Sequence, residues 1–474
     1  MSTSRKKYLI KNTAIFALGS FGTKFISFFL VPLYTNILTT SEYGTVDMIS
    51  TIGMVLVPLL TLNICEAVMR FSLDENADLN KIISVGICSL FLAIFAGGII
   101  FPVTAKMKSL NEYAVYVYMY AVSLAFSQMF LCYLRGKELL LRYSIGNIIQ
   151  TFCVALFNIL FLVQFDKGIK GYLLAYIIAN FVTAMYAMVA GNVFNAMKHF
   201  SIDSKLFVQM VKYAIVLVPN SFMWWIMNSS DRVMVTAMVG VAANGIYAVA
   251  YKIPTLLSSV TQVFNQAWSY SAIREEGSSD EEKYNNDIYN RLVAIVCICA
   301  AGLMMVMKVF LRYYVGAEYY IAWKYTPVLI IGFVFSTLGT FAATAYTVHK
   351  DSMGYLVSGT AGAIVNIILN FALIPQMGAM GAALATAASY FIVFYYRIRD
   401  TKKYLKLYIW QKRHIFAGTI LLVQAITMFI NNPVGQLLLI LEFCIMILIY
   451  VNDIKQLFFA VTKICRLKNK KETY

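Results

Sequence analysis

Positive charge in this chain collects in every second gap between apolar runs, and that alternation dictates a helical membrane fold with a defined orientation. About fourteen stretches of roughly 17 to 25 mostly apolar residues follow one another, each able to cross a hydrocarbon core of about 30 Å. They are expected at 12–37, 45–66, 82–103, 113–134, 143–164, 172–194, 207–229, 244–268, 291–312, 323–347, 355–375, 378–398, 415–431 and 433–451. With the N-terminus inside, the inside segments carry about 29 of the 39 Lys and Arg and the outside ones about 8. In lipid a backbone must satisfy its own polar groups, which apolar runs of this length do as helices. The Lys/Arg bias puts both termini in the cytoplasm. The expected fold is an all-α polytopic protein of the plasma (inner) membrane with about 14 transmembrane helices.

Hydrophobic residues make up 60% of the chain, against about 45–50% in soluble domains. A charge of +16 would suit nucleic acid, but its clusters at 5–7, 397–413 and 463–471 flank spans, where anionic headgroups attract them. Membrane lipids, and no nucleic acid, are the expected partners of that charge. The first span is full length and followed by many more, so it does not read as a cleaved signal. The 8 Cys lie in or beside apolar runs with neither disulfide nor zinc spacing. No metal or cofactor is expected. His199, His349 and His414 fall in expected cytoplasmic loops and read as solvated. The chain contains no Gly-x-x-x-x-Gly-Lys-Ser/Thr cradle for phosphates, which excludes a P-loop ATP-driven pump.

Two pairs of segments repeat. A shift of about 201 residues lays Glu42-Tyr43-Gly44 over Ala243-Asn244-Gly245, and a shift of about 210 lays Gly168-Ile-Lys-Gly171 over Gly378-Ala-Met-Gly381. Six spans then repeat six in the same orientation, a parallel repeat of the kind that rocks about a midplane site. The expected domains are an N-lobe of helices 1–6 (1–200), a C-lobe of helices 7–12 (201–400), and helices 13–14 with a basic cytoplasmic tail (401–474). Pro32, Pro58, Pro219, Pro254 and Pro327 are expected to break or bend helices, because proline removes a backbone donor.

Charges inside spans are costly and read by default as functional. Lys24 lies mid-way along the first span, in a small-polar stripe with Ser20, Ser27 and Tyr34. Lys252 heads a second stripe, Thr255, Ser259, Gln262 and Gln266, spaced 3, 4, 3 and 4 residues apart along one helical face. On the seventh span Trp224, Asn228 and Asp231 share a face. Each lysine has a second reading, a long stem snorkelling to the interface. Asp47 and Arg70 stand at opposite ends of the second span. Asp231 and Arg232 read either as a mutually neutralising pair or as part of a site, and Glu66 reads as the i, i+4 partner of Arg70. Together these charges suggest a cationic cavity, suited to an anionic substrate because Lys binds phosphate as a point charge. Trp224, Trp225, Tyr247, Tyr251 and Trp268 offer flat faces to sugars or lipid.

Three segments resemble a known family: Asn228-Ser-Ser-Asp231-Arg232, Gly245-Ile-Tyr247-Ala-Val-Ala-Tyr251-Lys252-Ile-Pro254, and Gln262-Val-Phe-Asn-Gln266-Ala-Trp268. Asn366-Ile-Ile-Leu-Asn370 running into Gly378-Ala-Met-Gly381 is similar too, as are Pro32-Leu-Tyr-Thr-Asn-Ile-Leu38 and the Arg70 ending the second span. They resemble the Wzx-type O-antigen and lipid-linked oligosaccharide transporters of the MATE/oligosaccharidyl-lipid/polysaccharide exporter superfamily, relatives of the lipid II flippase. The resemblance implies a non-enzymatic alternating-access flippase for undecaprenyl-diphosphate-linked oligosaccharide in cell-surface polysaccharide biosynthesis. It implies basic residues on the first and eighth spans, matched here by Lys24 and Lys252, which are expected to hold the diphosphate, with Arg70 guiding it in and Asn228, Gln262 and Gln266 along the glycan route. Asp47, Glu66, Asp231 and Arg232 would couple an ion or balance charge. The implied partners are the lipid-linked oligosaccharide and a polysaccharide polymerase or export machinery. The last two helices resemble the extra pair of the lipid II flippase, which lines a lipid-tail groove. The rival readings are an ion-coupled multidrug antiporter and a membrane glycan polymerase or acyltransferase.

Overall fold

A computed structural model describes residues 22–74, 76–105, 111–275, 278, 280–349 and 351–456, with some side chains, among them those of Gln262 and Gln266, outside the description. The described chain is helical, with α1 at 22–37 followed by α2 (Thr40–Leu60), α3 (Ile64–Ser72), α4 (Leu79–Ala105), α5 (Ala114–Gly136), α6 (Leu140–Asn158), α7 (Gly168–Ala190) and α8 (Val193–Lys198). Then come α9 (Ser204–Met238), α10 (Val241–Glu275), α11 (Glu281–Tyr314), α12 (Thr326–Val348), α13 (Ser352–Met377), α14 (Ala379–Asp400), α15 (Lys412–Thr427) and α16 (Pro433–Ile449). Among the described residues 10 helices are long and apolar enough to cross a membrane. The expected count of 14 is not reached on that measure. The first expected span lies partly outside the described residues, α10 carries the polar stripe, and α15 and α16 are short, at 16 and 17 residues. This is a multi-pass, all-α membrane protein.

The chain forms two compact units. One comprises 1–248 with 315–319, the other 249–314 with 320–474. In the first, α3, α4, α5, α7 and α9 share a core of Ile64, Val68, Ile83, Met129, Phe130 and Leu134, closed by Ala187 and Met210. The second packs α14 against α12 and α13, and sets α15 and α16 against α11. Its centre includes Trp268 stacked on Phe341, ring centroids 4.5 Å apart.

Local sequence explains several boundaries. Thr39 and Glu42 form a reciprocal capping box at the start of α2, Thr39 N–H donating to Glu42 Oε2 at 2.9 Å and Glu42 N–H to Thr39 Oγ1 at 3.3 Å. Pro58 precedes a true break: α2 stops at Leu60, and Leu62 and Asn63 adopt φ of 51° and 56° before α3 begins. Pro327 behaves otherwise. It opens α12 at the first turn, where a missing N–H costs nothing. His414 is also not solvated: its ring contacts Tyr450 Oη at 2.9 Å and Asn290 Oδ1 at 2.8 Å.

The repeated segments have matching local geometry. Gly168 and Gly378 both adopt left-handed φ, 50° and 59°, at the start of α7 and α14. Gly44 and Gly245, related by the shift of about 201, face each other inside the first unit. A Cβ on Gly44 would lie 2.0 Å from Val241 O, and one on Gly245 would lie 2.0 Å from Thr40 O. Only glycine permits this backbone-to-backbone approach.

Candidate functional site

The crossing of α2 and α10 organises the first unit's charges. Because the backbones touch at Gly44 and Gly245, Asn244 reaches across and donates to Gly44 O at 3.1 Å and to Asp47 Oδ2 at 3.4 Å. Arg232 of α9 donates from Nη1 to Asp47 Oδ1 at 3.1 Å, and both side chains are largely buried. Asp231, 2% exposed, receives Tyr247 Oη at 2.6 Å and the Arg232 backbone N–H at 2.9 Å. Three of the four residues expected to couple ions or balance charge thus converge. Arg232 pairs with Asp47 across helices and Asp231 accepts from Tyr247, so the two residues belong to a network that spans α2, α9 and α10. Buried charges persist when paired and hydrogen-bonded, which this network achieves.

Glu66 lies elsewhere. The break after Pro58 turns α3 so that Cys65 and Glu66 line a cavity of about 560 Å³. Its other walls include Asn63, Gln128, Cys132, Arg135, Asn147, Gln150, Ser221 and Trp224. Asn63 Nδ2 donates to Ser221 Oγ at 2.8 Å and Gln150 Nε2 to Asn180 Oδ1 at 2.6 Å. The amides are therefore fixed in direction, with capacity left over for a polar guest. The ligating atoms of Cys65, Glu66 and Cys132 lie within 4.8 Å of one another. Two sulfurs and a carboxylate suit a soft divalent cation, although the Arg135 cation lines the same cavity. Sequence spacing could not reveal this set, since Cys132 sits on a different helix from the other two.

The remaining expected residues scatter. Arg70, at the exposed end of α3, pairs with Asp74 at 2.6 Å, which corrects the expected Glu66 pairing. Asn228 Nδ2 turns back on its own helix to the Trp224 carbonyl at 2.8 Å. Lys24 stands exposed on α1 of the first unit, and Lys252 half-buried on α10 of the second. The side chains of Gln262 and Gln266 lie outside the described residues. The second unit has a different pocket, of about 200 Å³, walled by Val293, Val334, Phe335, Leu338, Leu421 and Leu422.

A family model described as "Polysaccharide biosynthesis protein" matches residues 9–270, more than half of the chain. The chain belongs to the polysaccharide biosynthesis protein family. The matched segment of this family member takes in every expected site residue and leaves α11 to α16 outside. Solved structures agree on the fold. The lipid II flippase MurJ in an inward closed conformation superposes with a TM-score of 0.66 at 13% identity, covering 95% of this chain and 100% of that one. An inward-facing multidrug resistance MATE family transporter of the MOP superfamily gives 0.62 at 11%, covering 82% and 94%. A MOP superfamily transporter from Pyrococcus furiosus, described as having a binding pocket of reverse polarity, gives 0.56 at 12%, covering 83% and 96%. At such identities the likeness is one of fold alone. No curated protein sequence matches this polysaccharide biosynthesis family member.

Proposed function

We propose that this protein is a flippase. It moves undecaprenyl-diphosphate-linked oligosaccharide from the cytoplasmic to the outer leaflet of a bacterial plasma membrane by alternating access, for O-antigen-like surface polysaccharide, with no bond-making chemistry. The observation that carries this reading is the amide-lined cavity of about 560 Å³ among membrane helices, on a chain of the polysaccharide biosynthesis family. Sugar hydroxyls at hydrocarbon depth need aimed donors and acceptors, and Gln128, Asn147 and Gln150 supply them beside the indole face of Trp224. Lys24 and Lys252 hold the diphosphate, Arg70 guides it from the cytoplasmic face, and Asn228, Gln262 and Gln266 extend the glycan route. The prenyl tail stays in lipid, with the apolar pocket of the second unit offering it a compatible wall. Both termini are cytoplasmic, six helices repeat six, and a polysaccharide polymerase or export complex takes the product.

The test is flipping of a fluorescent lipid-linked oligosaccharide in proteoliposomes, with Lys24→Ala and Lys252→Ala at matched expression. Each loses about tenfold or more in rate, since charge-assisted hydrogen bonds contribute about 1.5–3 kcal/mol. Wild-type rates in both variants would overturn the cationic site. The fold shared with a multidrug transporter favours a second reading, a cation-coupled antiporter. Against it, Asp47 and Asp231 are already engaged by Arg232, Asn244 and Tyr247. Drug extrusion without lipid movement would decide for it, and formation of new glycosidic or ester bonds by the purified protein would favour an enzyme.

A further inference from the structure

Helix α16 buries an acid, Glu442, for which the described residues show no cationic partner. Its inward face is Gly435, Leu439, Glu442 and Met446, and that of α15 includes Gln424 and Thr427. Glu442 is 8% exposed and Gln424 fully buried. Thr427 Oγ1 lies 3.0 Å from the Val423 carbonyl oxygen and 2.7 Å from Glu442 Oε1. A hydroxyl owns one proton and cannot make a full-strength hydrogen bond to both. The carbonyl only accepts, and so does an ionised carboxylate. A proton on Glu442 resolves the conflict: Glu442 donates to Thr427, and Thr427 donates to Val423. The neighbouring amide gives no relief, because Gln424 Nε2 is directed to the carbonyls of Ala301 and Leu439, at 3.1 and 3.5 Å. Glu442 Oε2 and Gln424 Oε1 are both buried without a donor.

Several titratable groups on the packed helices have partners other than Glu442. Lys308 of α11 donates to Asn431 at 2.8 Å, Arg291 of α11 to Gln456 at 3.4 Å, and Arg413 of α15 to Asp453 at 3.0 Å. His414 holds Tyr450 and Asn290. From α15 Glu442 therefore meets Thr427 and Gln424, and α11 contributes to this seam the Ala301 carbonyl. An isolated ionised carboxylate in such a seam is costly, and intramembrane acids mark proton sites.

We propose that Glu442 is a proton-binding site: it carries its proton towards Thr427 when α15 and α16 are closed on α11, and giving that proton to water loosens the seam. This concerns the C-terminal helix pair and does not depend on which cargo the protein moves.

The test needs no transport. Infrared difference spectra of the full chain in phosphatidylcholine nanodiscs compare wild type with Glu442→Gln and Thr427→Val at neutral pH. The expected result is a carboxylic-acid carbonyl band present in wild type, absent in Glu442→Gln and displaced in Thr427→Val. Identical wild-type and Glu442→Gln spectra would overturn the proposal. If Glu442→Gln does not fold, Thr427→Val decides alone, and an undisplaced band counts against it. Hydrogen exchange then reads the seam. Amides of 433–449 gain protection below the carboxyl's titration and lose it above in wild type, while Glu442→Gln, a mimic of the neutral acid, stays flat. Equal pH dependence in the two would remove the coupling. A failed flipping assay would leave these results untouched.

Discussion

The cavities of the two units differ in kind. In the first unit amides, hydroxyls, two thiols, Glu66 and Arg135 share the walls with apolar side chains such as Leu124 and Leu131. In the second they are mostly Val, Leu, Ile and Phe side chains, joined by Tyr289, Cys297, Trp410 and His414. Both lie among helices of membrane length, so the membrane did not impose the difference. One interior presents hydrogen-bonding groups, the other almost entirely apolar ones.

The sharpest way to break this contrast is to uncouple the first unit's charges. Arg232→Ala leaves Asp47 buried beside Asn244 alone, and removing one partner of a buried pair costs about 3–5 kcal/mol. Folded protein recovered by size-exclusion chromatography should collapse, and adding Asp47→Asn should restore much of it. A mild single-variant loss would mean that water already reaches the pair. Next comes one substitution made in both interiors. Leu338→Asn in the apolar pocket buries an amide without a partner and costs about 2 kcal/mol, whereas Leu124→Asn, beside the amides of the polar cavity, costs less. Equal shifts in thermal melting would erase the distinction. Gln150→Leu sharpens it further. It removes the donor to Asn180 Oδ1, costs about 1 kcal/mol in melting experiments, and slows glycan flipping while leaving tail binding alone.

The smallest effect lies outside the membrane, at helix caps of the two units. Asp351 accepts the Gly354 N–H, and with Lys403 and Tyr404 also bonded its carboxyl sits below the ordinary aspartate value. Asp203 is lowered likewise by the Leu206 and Lys205 N–H groups. A depressed carboxylate contributes stability above its unfolded value and loses it as pH falls towards the folded one. Melting curves taken into acid, below about pH 3.9, should therefore decline slightly less in Asp351→Asn and Asp203→Asn than in wild type. No change in slope would show the caps to be energetically idle.

Much of this was legible in the sequence because membrane helices write themselves as length and hydropathy. The broken helix after Pro58, the matched glycines and the convergence of Asp47, Asp231 and Arg232 also left traces in residue type and spacing. Other features left none. Arg70 has acids four residues away on both sides, and spacing favoured Glu66, which instead turns into the cavity while Asp74 stays in reach of water. Gln128, Asn147 and Gln150 meet only through tertiary packing, although lone amides in apolar runs are a usable signal. Glu442 escaped notice because one acid hardly lowers the mean hydropathy of its run. Its place on the Gly435–Leu439–Met446 face is what betrays it.

The facing glycines of α2 and α10 limit how this chain can drift. Neither stretch has room for a side chain there, because main chain from the other fills the volume. No second-site change can repair a substitution, since an amide carbonyl cannot be trimmed. Two stretches whose residues differ elsewhere must both keep glycine at this one crossing.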